Sequence, residues 1–218
     1  MTIRVLLIED HASLRQAMSA VMDLEDDIEV IGHREDGDPA AAVRAAAGAD
    51  VAVVDLELPV GHGADVVAAL LEADPPVPSV VLTGLRDDRE LGRAIQAGAR
   101  SVLQKTAEIP EIIAAVRVVA SGGVVLPATE TQRRLRALDA DLNRRRRADL
   151  VREALTSREV EVLEHLVYGA STAEAAERLG ISPETVQTHV RNLMGKLGAG
   201  SRLEAVSLAL QYEVVDPP

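Results

Sequence analysis

Five polar side chains could work together on one anionic substrate: the neighbours Glu9 and Asp10, then Asp55, Thr83 and Lys105. Each closes or follows a short apolar run, VLLI before Glu9, VAVV before Asp55, VVL before Thr83 and SVLQ before Lys105. Three clustered acids repel and raise one another's pKa unless a cation neutralises them. With only hard oxygen donors and no Cys in the chain, the cation that fits is Mg²⁺, which keeps several waters and bridges phosphate oxygens. One carboxylate could then attack a phosphoryl group while the Lys105 ammonium and the Thr83 hydroxyl hold the transferred oxygens. A single acid at the end of an apolar run is ordinarily a solvated group or a helix cap. Five polar groups at matching ends of four runs are a stronger signal.

A second group lies on one predicted helix over 183–197. Val186, Val190, Leu193 and Leu197 form its buried stripe, and Gln187, Thr188, Arg191 and Gly195 fall on the other side. Gln can pair with adenine, Arg with guanine, and Thr can touch a thymine methyl in the major groove. An amphipathic helix with a solvated outer face would look the same in isolation.

The elements that must position these groups follow from the pattern. Apolar runs at 3–8, 28–33, 51–54, 80–82 and 101–103 alternate with helical stretches near 12–23, 39–47, 63–73, 88–97 and 110–121. Such alternation predicts an α/β doubly wound five-stranded parallel sheet covered on both faces, with ligands gathering beyond the carboxyl ends of the strands. After Gly122 and Gly123 the character changes. Residues 129–155 read as a polar helix with Leu135, Leu138, Leu142 and Leu150 as a thin seam on one face. It suits a solvated connector, or a dimer-forming or DNA-approaching linker that uses Arg144, Arg145, Arg146 and Arg147.

From Thr156 onward the signals are all helical. Thr156 with Glu159 and Ser171 with Glu174 have capping-box spacing. Ser182 before Pro183 is an N-cap with proline in the first turn, and Gly169 and Gly180 stand where helices should stop. The predicted helices span 157–168, 172–179, 183–197 and 202–212. The short GIS connector is of helix-turn-helix length, so the expectation is an all-α four-helix helix-turn-helix domain.

Composition narrows the function further. The 218 residues include no Cys, no Trp, no Phe and two Tyr, which excludes disulfides and thiol chemistry and nearly excludes an aromatic base-stacking platform. None of the five His has metal-ligand spacing to another. No apolar run approaches the roughly 20 residues of a membrane span and no signal peptide is evident, so the expectation is a cytoplasmic protein with no membrane partner. Charge is uneven: residues 1–129 hold 10 basic and 21 acidic side chains, 130–155 hold 8 and 5, and 156–218 hold 5 and 9. An acidic front, a basic connector and a mildly acidic third segment argue for distinct parts.

The pieces VLLIEDH, VAVVDLELPVGHG, VVLTG and GARSVLQK resemble the receiver domain of two-component response regulators over residues 2 to 121. The resemblance implies a flavodoxin-like receiver. It makes Asp55 the phosphoacceptor, Glu9 and Asp10 the metal-binding pair, the Glu57 backbone carbonyl a further metal ligand, Thr83 the switch hydroxyl and Lys105 the phosphate-side lysine. Pro59, Gly63 and Gly84 match family positions around the acceptor. Val102 departs from the pattern, because the family usually carries Tyr or Phe there, an aromatic that swings inward with the Thr. The segment LTSREVEVLEHLVYGASTAEAAERLGISPETVQTHVRNLMGKLGAGSRLEAVSLAL resembles the LuxR-type domain over 155–210. By position Gln187, Thr188 and Arg191 match groove-facing residues and Lys196 a phosphate-contacting lysine. Gln187 stands where the family usually has Lys, and Gly195 where Arg or Lys is common.

The whole resembles the NarL/FixJ family. It implies a receiver over 1–122, an Arg-rich helical linker over 123–154 and a LuxR-type domain over 155–218. It also implies phosphorylation of Asp55 by a sensor histidine kinase with Mg²⁺, binding to double-stranded DNA, and a homodimer in the active form. No separate substrate is implied beyond the receiver's own phosphotransfer and dephosphorylation. Two other readings stay open: a receiver acting as a phosphate sink, which the net acidic 156–218 segment favours, and a DNA-binding regulator independent of phosphorylation, against which the complete acid–Thr–Lys set argues.

Overall fold

A computed structural model describes residues 2–215. Its first unit spans residues up to Asp139 and its second begins at Ala140. In the first unit, strands β1 (Ile3–Ile8), β2 (Ile28–Arg34), β3 (Val51–Val54), β4 (Ser79–Thr83) and β5 (Ser101–Gln104) form one all-parallel sheet in the order β2-β1-β3-β4-β5. Helices α1 (Ala12–Met22), α2 (Pro39–Ala45), α3 (Gly63–Glu72), α4 (Asp88–Gln96) and α5 (Ile109–Ala120) connect them. The predicted doubly wound sheet is therefore the observed one.

Alternation along the strands divides the core. Leu6, Ile8, Ala52, Val54, Val81 and Val102 face the layer of α2, α3 and α4, whereas Val5, Leu7, Val51, Val53, Val80 and Leu82 face α1 and α5. Burial on both faces explains why β3 reads as an unbroken VAVV run. Strand order reverses between β1 and β3, and a parallel sheet opens its ligand crevice at such a reversal. Glu9, Asp10 and Asp55 stand there.

Helix α6 runs from Ala128 to Ala154 and belongs to both units. Its first half packs on α4 so closely that a Cβ on Gly92 would lie 2.4 Å from the Arg134 carbonyl oxygen. Arg133 pairs with Asp88 there at 2.8 Å. Its second half supplies Ala148 and Val151 to the core of the second unit, where Leu155 joins them. The expected single leucine seam is not what packs. Leu138 is buried, but Leu142 and Leu150 are exposed. The helix changes partners along its length, so its buried face shifts and Ala148, Val151 and Leu155 replace the leucines.

The second unit continues with α7 (Ser157–Val167), α8 (Thr172–Leu179), α9 (Pro183–Leu197) and α10 (Arg202–Gln211). Both capping boxes form, Ser182 accepts the Thr185 N–H, and Gly180 and Gly198 end their helices in the left-handed region. Val162, Leu163, Val186, Leu193, Leu197, Ala205 and Ala209 fill the core. No helix among the described residues is long and apolar enough to cross a membrane.

Candidate functional site

β1 delivers Glu9 and Asp10 and β3 delivers Asp55, whose N–H donates to the Ile8 carbonyl at 2.9 Å. The loop after β3 is pinned by Gly63. A Cβ there would stand 2.0 Å from the Asp55 carbonyl oxygen, so only glycine allows α3 to start that close. Lys105 follows β5, its N–H donating to the Thr83 carbonyl at 2.9 Å.

The Lys105 ammonium reaches back across the sheet edge and donates to Asp55 Oδ2 at 2.9 Å and to Glu9 Oε1 at 2.9 Å. It is the cation already present between the acids. Asp55 is 1% exposed and Glu9 4% exposed, and Asp55 Oδ1 is buried with no hydrogen-bond partner. Burial pushes the Asp55 carboxyl above its ordinary range, only partly opposed by Lys105 and the Glu57 backbone. Burial alone would lower the Lys105 pKa, but its bonds to Glu9 and Asp55 raise it. One ligand atom from each of Glu9, Asp10, His11 and Asp55 lies within 4.8 Å of the others. These oxygens and the orphaned Asp55 Oδ1 suit a hard divalent cation.

Sequence reasoning missed His11. Its Nδ1 is 3.0 Å from Glu9 Oε1 and 2.8 Å from Asp10 Oδ1, and these acids raise its pKa. The only hint is its place directly after the acidic pair. Arg15 was also missed: one turn into α1, it donates to the Glu9 and Asp10 carbonyls and pairs with Glu35.

Thr83 is fully buried at the end of β4, and its hydroxyl accepts the Leu85 N–H at 3.1 Å. Beside it, a Cβ on Gly84 would lie 3.1 Å from Glu57 Oε2, so the Glu57 side chain extends over Gly84. Val102 is buried among the α4-side residues. Two residues on, Gln104 donates from Nε2 to the Leu85 carbonyl at 2.9 Å and ties β5 to the loop after β4.

In the second unit Gln187, Thr188 and Arg191 are exposed on α9, and the Thr188 hydroxyl donates to the Glu184 carbonyl at 2.9 Å. Gly195 opens onto empty space. Lys196 is also exposed on α9, and its ammonium donates to Glu159 Oε2 at 2.6 Å. That carboxylate is 3% exposed and also accepts the Thr156 N–H and hydroxyl, both at 2.8 Å.

Two family models match the chain: response regulator receiver domain over residues 5–117, and bacterial regulatory proteins of the luxR family over 153–209. The chain belongs to the response regulators. The response regulator protein VraR of Staphylococcus aureus is 32% identical over 216 residues, 99% of this chain and 100% of that one. The transcriptional regulatory protein LnrK of Bacillus subtilis is 29% identical over 220 residues, 97% and 98% of the two chains. Among solved structures, the response regulator ChrA of a heme-sensing two-component system matches with a TM-score of 0.56 and 31% identity over 98% of this chain and 99% of that one. The RcsB response regulator of Salmonella typhimurium shares the fold at a TM-score of 0.52 and 19% identity, over 94% of this chain and 97% of that one.

This response regulator therefore joins a receiver to a LuxR-type DNA-binding domain, the make-up of a two-component transcriptional regulator. Its acids and Lys105 come together at one sheet edge. Its outward α9 residues lie on the separate second unit.

Proposed function

We propose that Asp55 accepts a phosphoryl group from a sensor histidine kinase and that the modified protein acts on promoter DNA. The observation that carries this reading is the Lys105 ammonium shared by Asp55 and Glu9, with Asp55 Oδ1 left without a partner. Asp55 is the nucleophile, Lys105 holds a transferred oxygen, and Thr83 exchanges its Leu85 bond for the phosphoryl group. Glu9, Asp10, Asp55 and the Glu57 backbone carbonyl would hold Mg²⁺. When bound, that ion neutralises developing charge on the phosphoryl oxygens. Glu57, two residues past the acceptor, and Gly84, directly after Thr83, are both exposed.

In the second unit, Gln187, Thr188 and Arg191 read base edges. The working division is a receiver over 1–122, a connector over 123–154 and an output domain over 155–218. Leu203, 79% exposed on α10, supports a homodimer through that helix in the active form. Absence of an apolar spanning helix among the described residues is compatible with action in the cytoplasm. The test is incubation with a small phosphodonor and Mg²⁺, followed by selection of bound duplexes from a random pool. Hydroxylamine-labile phosphate should appear on wild type and not on Asp55→Asn, and the recovered sequences should share a motif. Phosphate on Asp55→Asn, or recovery of no motif in either state, would sink the proposal.

A further inference from the structure

The cations of the helix-turn-helix are largely committed within the protein. Lys196 sits on Glu159, Arg158 pairs with Glu161 and donates to the Leu179 carbonyl, and Arg202 donates to Thr172 Oγ1 and the Ala170 carbonyl, both at 3.3 Å. Residues 156–218 hold 5 basic and 9 acidic side chains. Phosphate attraction dominates duplex affinity, so a domain of this charge needs cations from elsewhere.

α9 has 15 residues. That length is roughly 22 Å at 1.5 Å per residue. The major groove is about 12 Å wide. With Gln187, Thr188 and Arg191 in the groove, the C-terminal turns of α9 overhang the phosphate backbone. Gly195 and Gly198 add no side chain at that end, and the Lys196 ammonium there is bonded to Glu159. What reaches it is Arg147, whose Nη2 lies 3.7 Å from where a Cβ on Gly198 would be.

Arg147 is held there by α6, whose Ala148 and Val151 are built into the core of the same unit. Arg144 lies three residues earlier and so shares its helix face. Arg144, Arg145, Arg146 and Arg147 are all exposed. Arg144 and Arg145 share one carboxylate, Asp141, while Arg146 and Arg147 have no ion-pair partner among the described residues.

We infer that the arginine row 144–147 of α6 is a second phosphate-binding surface of the DNA-binding unit, gripping the duplex backbone at the C-terminal end of α9. The inference rests on α9 being the groove helix. A guanidinium beside a helix C-terminus is also favourable by itself, and the experiment must separate that role from a phosphate grip.

The full chain is titrated onto a selected duplex and a scrambled duplex of equal length at several KCl concentrations. Removing one cation from the phosphates should flatten the slope of log affinity against log salt by about 0.9. Arg144→Gln with Arg147→Gln should flatten it by about 1 to 2, and replacement of all four by Gln by about 2 to 4. The ratio of selected to scrambled affinity should stay unchanged. Replacement of all four by Lys keeps the charge and should keep the slope. An unchanged slope in the four-Gln protein, with wild-type discrimination intact, overturns the arginine surface alone. Arg191→Gln reports on the reading beneath it and should collapse the selected-to-scrambled ratio. A wild type that does not discriminate the two duplexes overturns both.

Discussion

Replacing Lys196 by Met asks whether that ammonium serves the fold or the DNA. In the structure it donates to Glu159 Oε2 at 2.6 Å, and its removal leaves a carboxylate that is 3% exposed with only the Thr156 N–H and hydroxyl. A hydrogen bond to a charged group contributes roughly 1.5–3 kcal/mol. The Lys196 side chain is about one-third exposed, so solvent screening reduces this to about 1–2 kcal/mol. With a urea slope near 1 kcal/mol/M for a small unit, the midpoint should fall by about 1–2 M. The composition supplies the probe. Tyr168 and Tyr212 are the only aromatic residues and both lie in the second unit, so tyrosine fluorescence of the full chain follows that unit alone.

Glu159→Gln keeps acceptors for Thr156 but loses the ion pair. The double variant should therefore cost less than the sum of the singles, by about 1 kcal/mol. Burial pushes the Glu159 pKa up, but Lys196 and Thr156 outweigh it and hold it below the ordinary 4.5. Its stabilisation is thus present above the unfolded pKa and is lost as pH falls through the lower folded value. Wild type should lose this acid-side component and Glu159→Gln should lack it. Lys196→Met should leave the salt slope of DNA binding unchanged. An unshifted urea midpoint together with a slope flattened by about 0.9 would refute the argument and return Lys196 to the phosphates.

Lys105→Met removes the cation between two buried acids, and the receiver should lose about 3 kcal/mol of stability by hydrogen exchange. Adding Asp55→Asn should recover part of that loss, and no recovery would contradict the shared ion pair. Gln104→Ala frees the loop after β4 by removing the bond to the Leu85 carbonyl, with an expected cost of about 1 kcal/mol and faster exchange at the Leu85 amide. Gly63→Ala forces a Cβ to 2.0 Å from the Asp55 carbonyl oxygen and should abolish phosphate incorporation through displacement of the acceptor loop. Asp10→Asn should shrink the rise in receiver melting temperature produced by millimolar Mg²⁺, measured by calorimetry against chelator.

The elements set by local chemistry are legible in the sequence. Ser182, Pro183 and the capping boxes define α7, α8 and α9 within a residue, because orphan helix amides must be met close by in sequence. The acid-Thr-Lys set is legible because parallel strands bring their carboxyl ends to one edge. What escapes are choices among partners. Nothing in the spacing says that Lys196 will prefer Glu159, 37 residues away, to solvent. His11 reads as an isolated histidine, yet it stands against two acids once β1 ends. The seam on α6 misleads because large leucines dominate a hydropathy pattern, whereas close packing selects Ala148 and Val151.

The sharing of α6 between the two units bears on any chimaera made from this chain. A fragment that starts at Leu155 discards Ala148 and Val151 and so removes two members of the second unit's buried core. A fragment that stops at Gly122 strips Leu138 from the side of Gly92. A splice inside the helix, near Asp139, leaves Leu138 with the first unit and Ala148 and Val151 with the second.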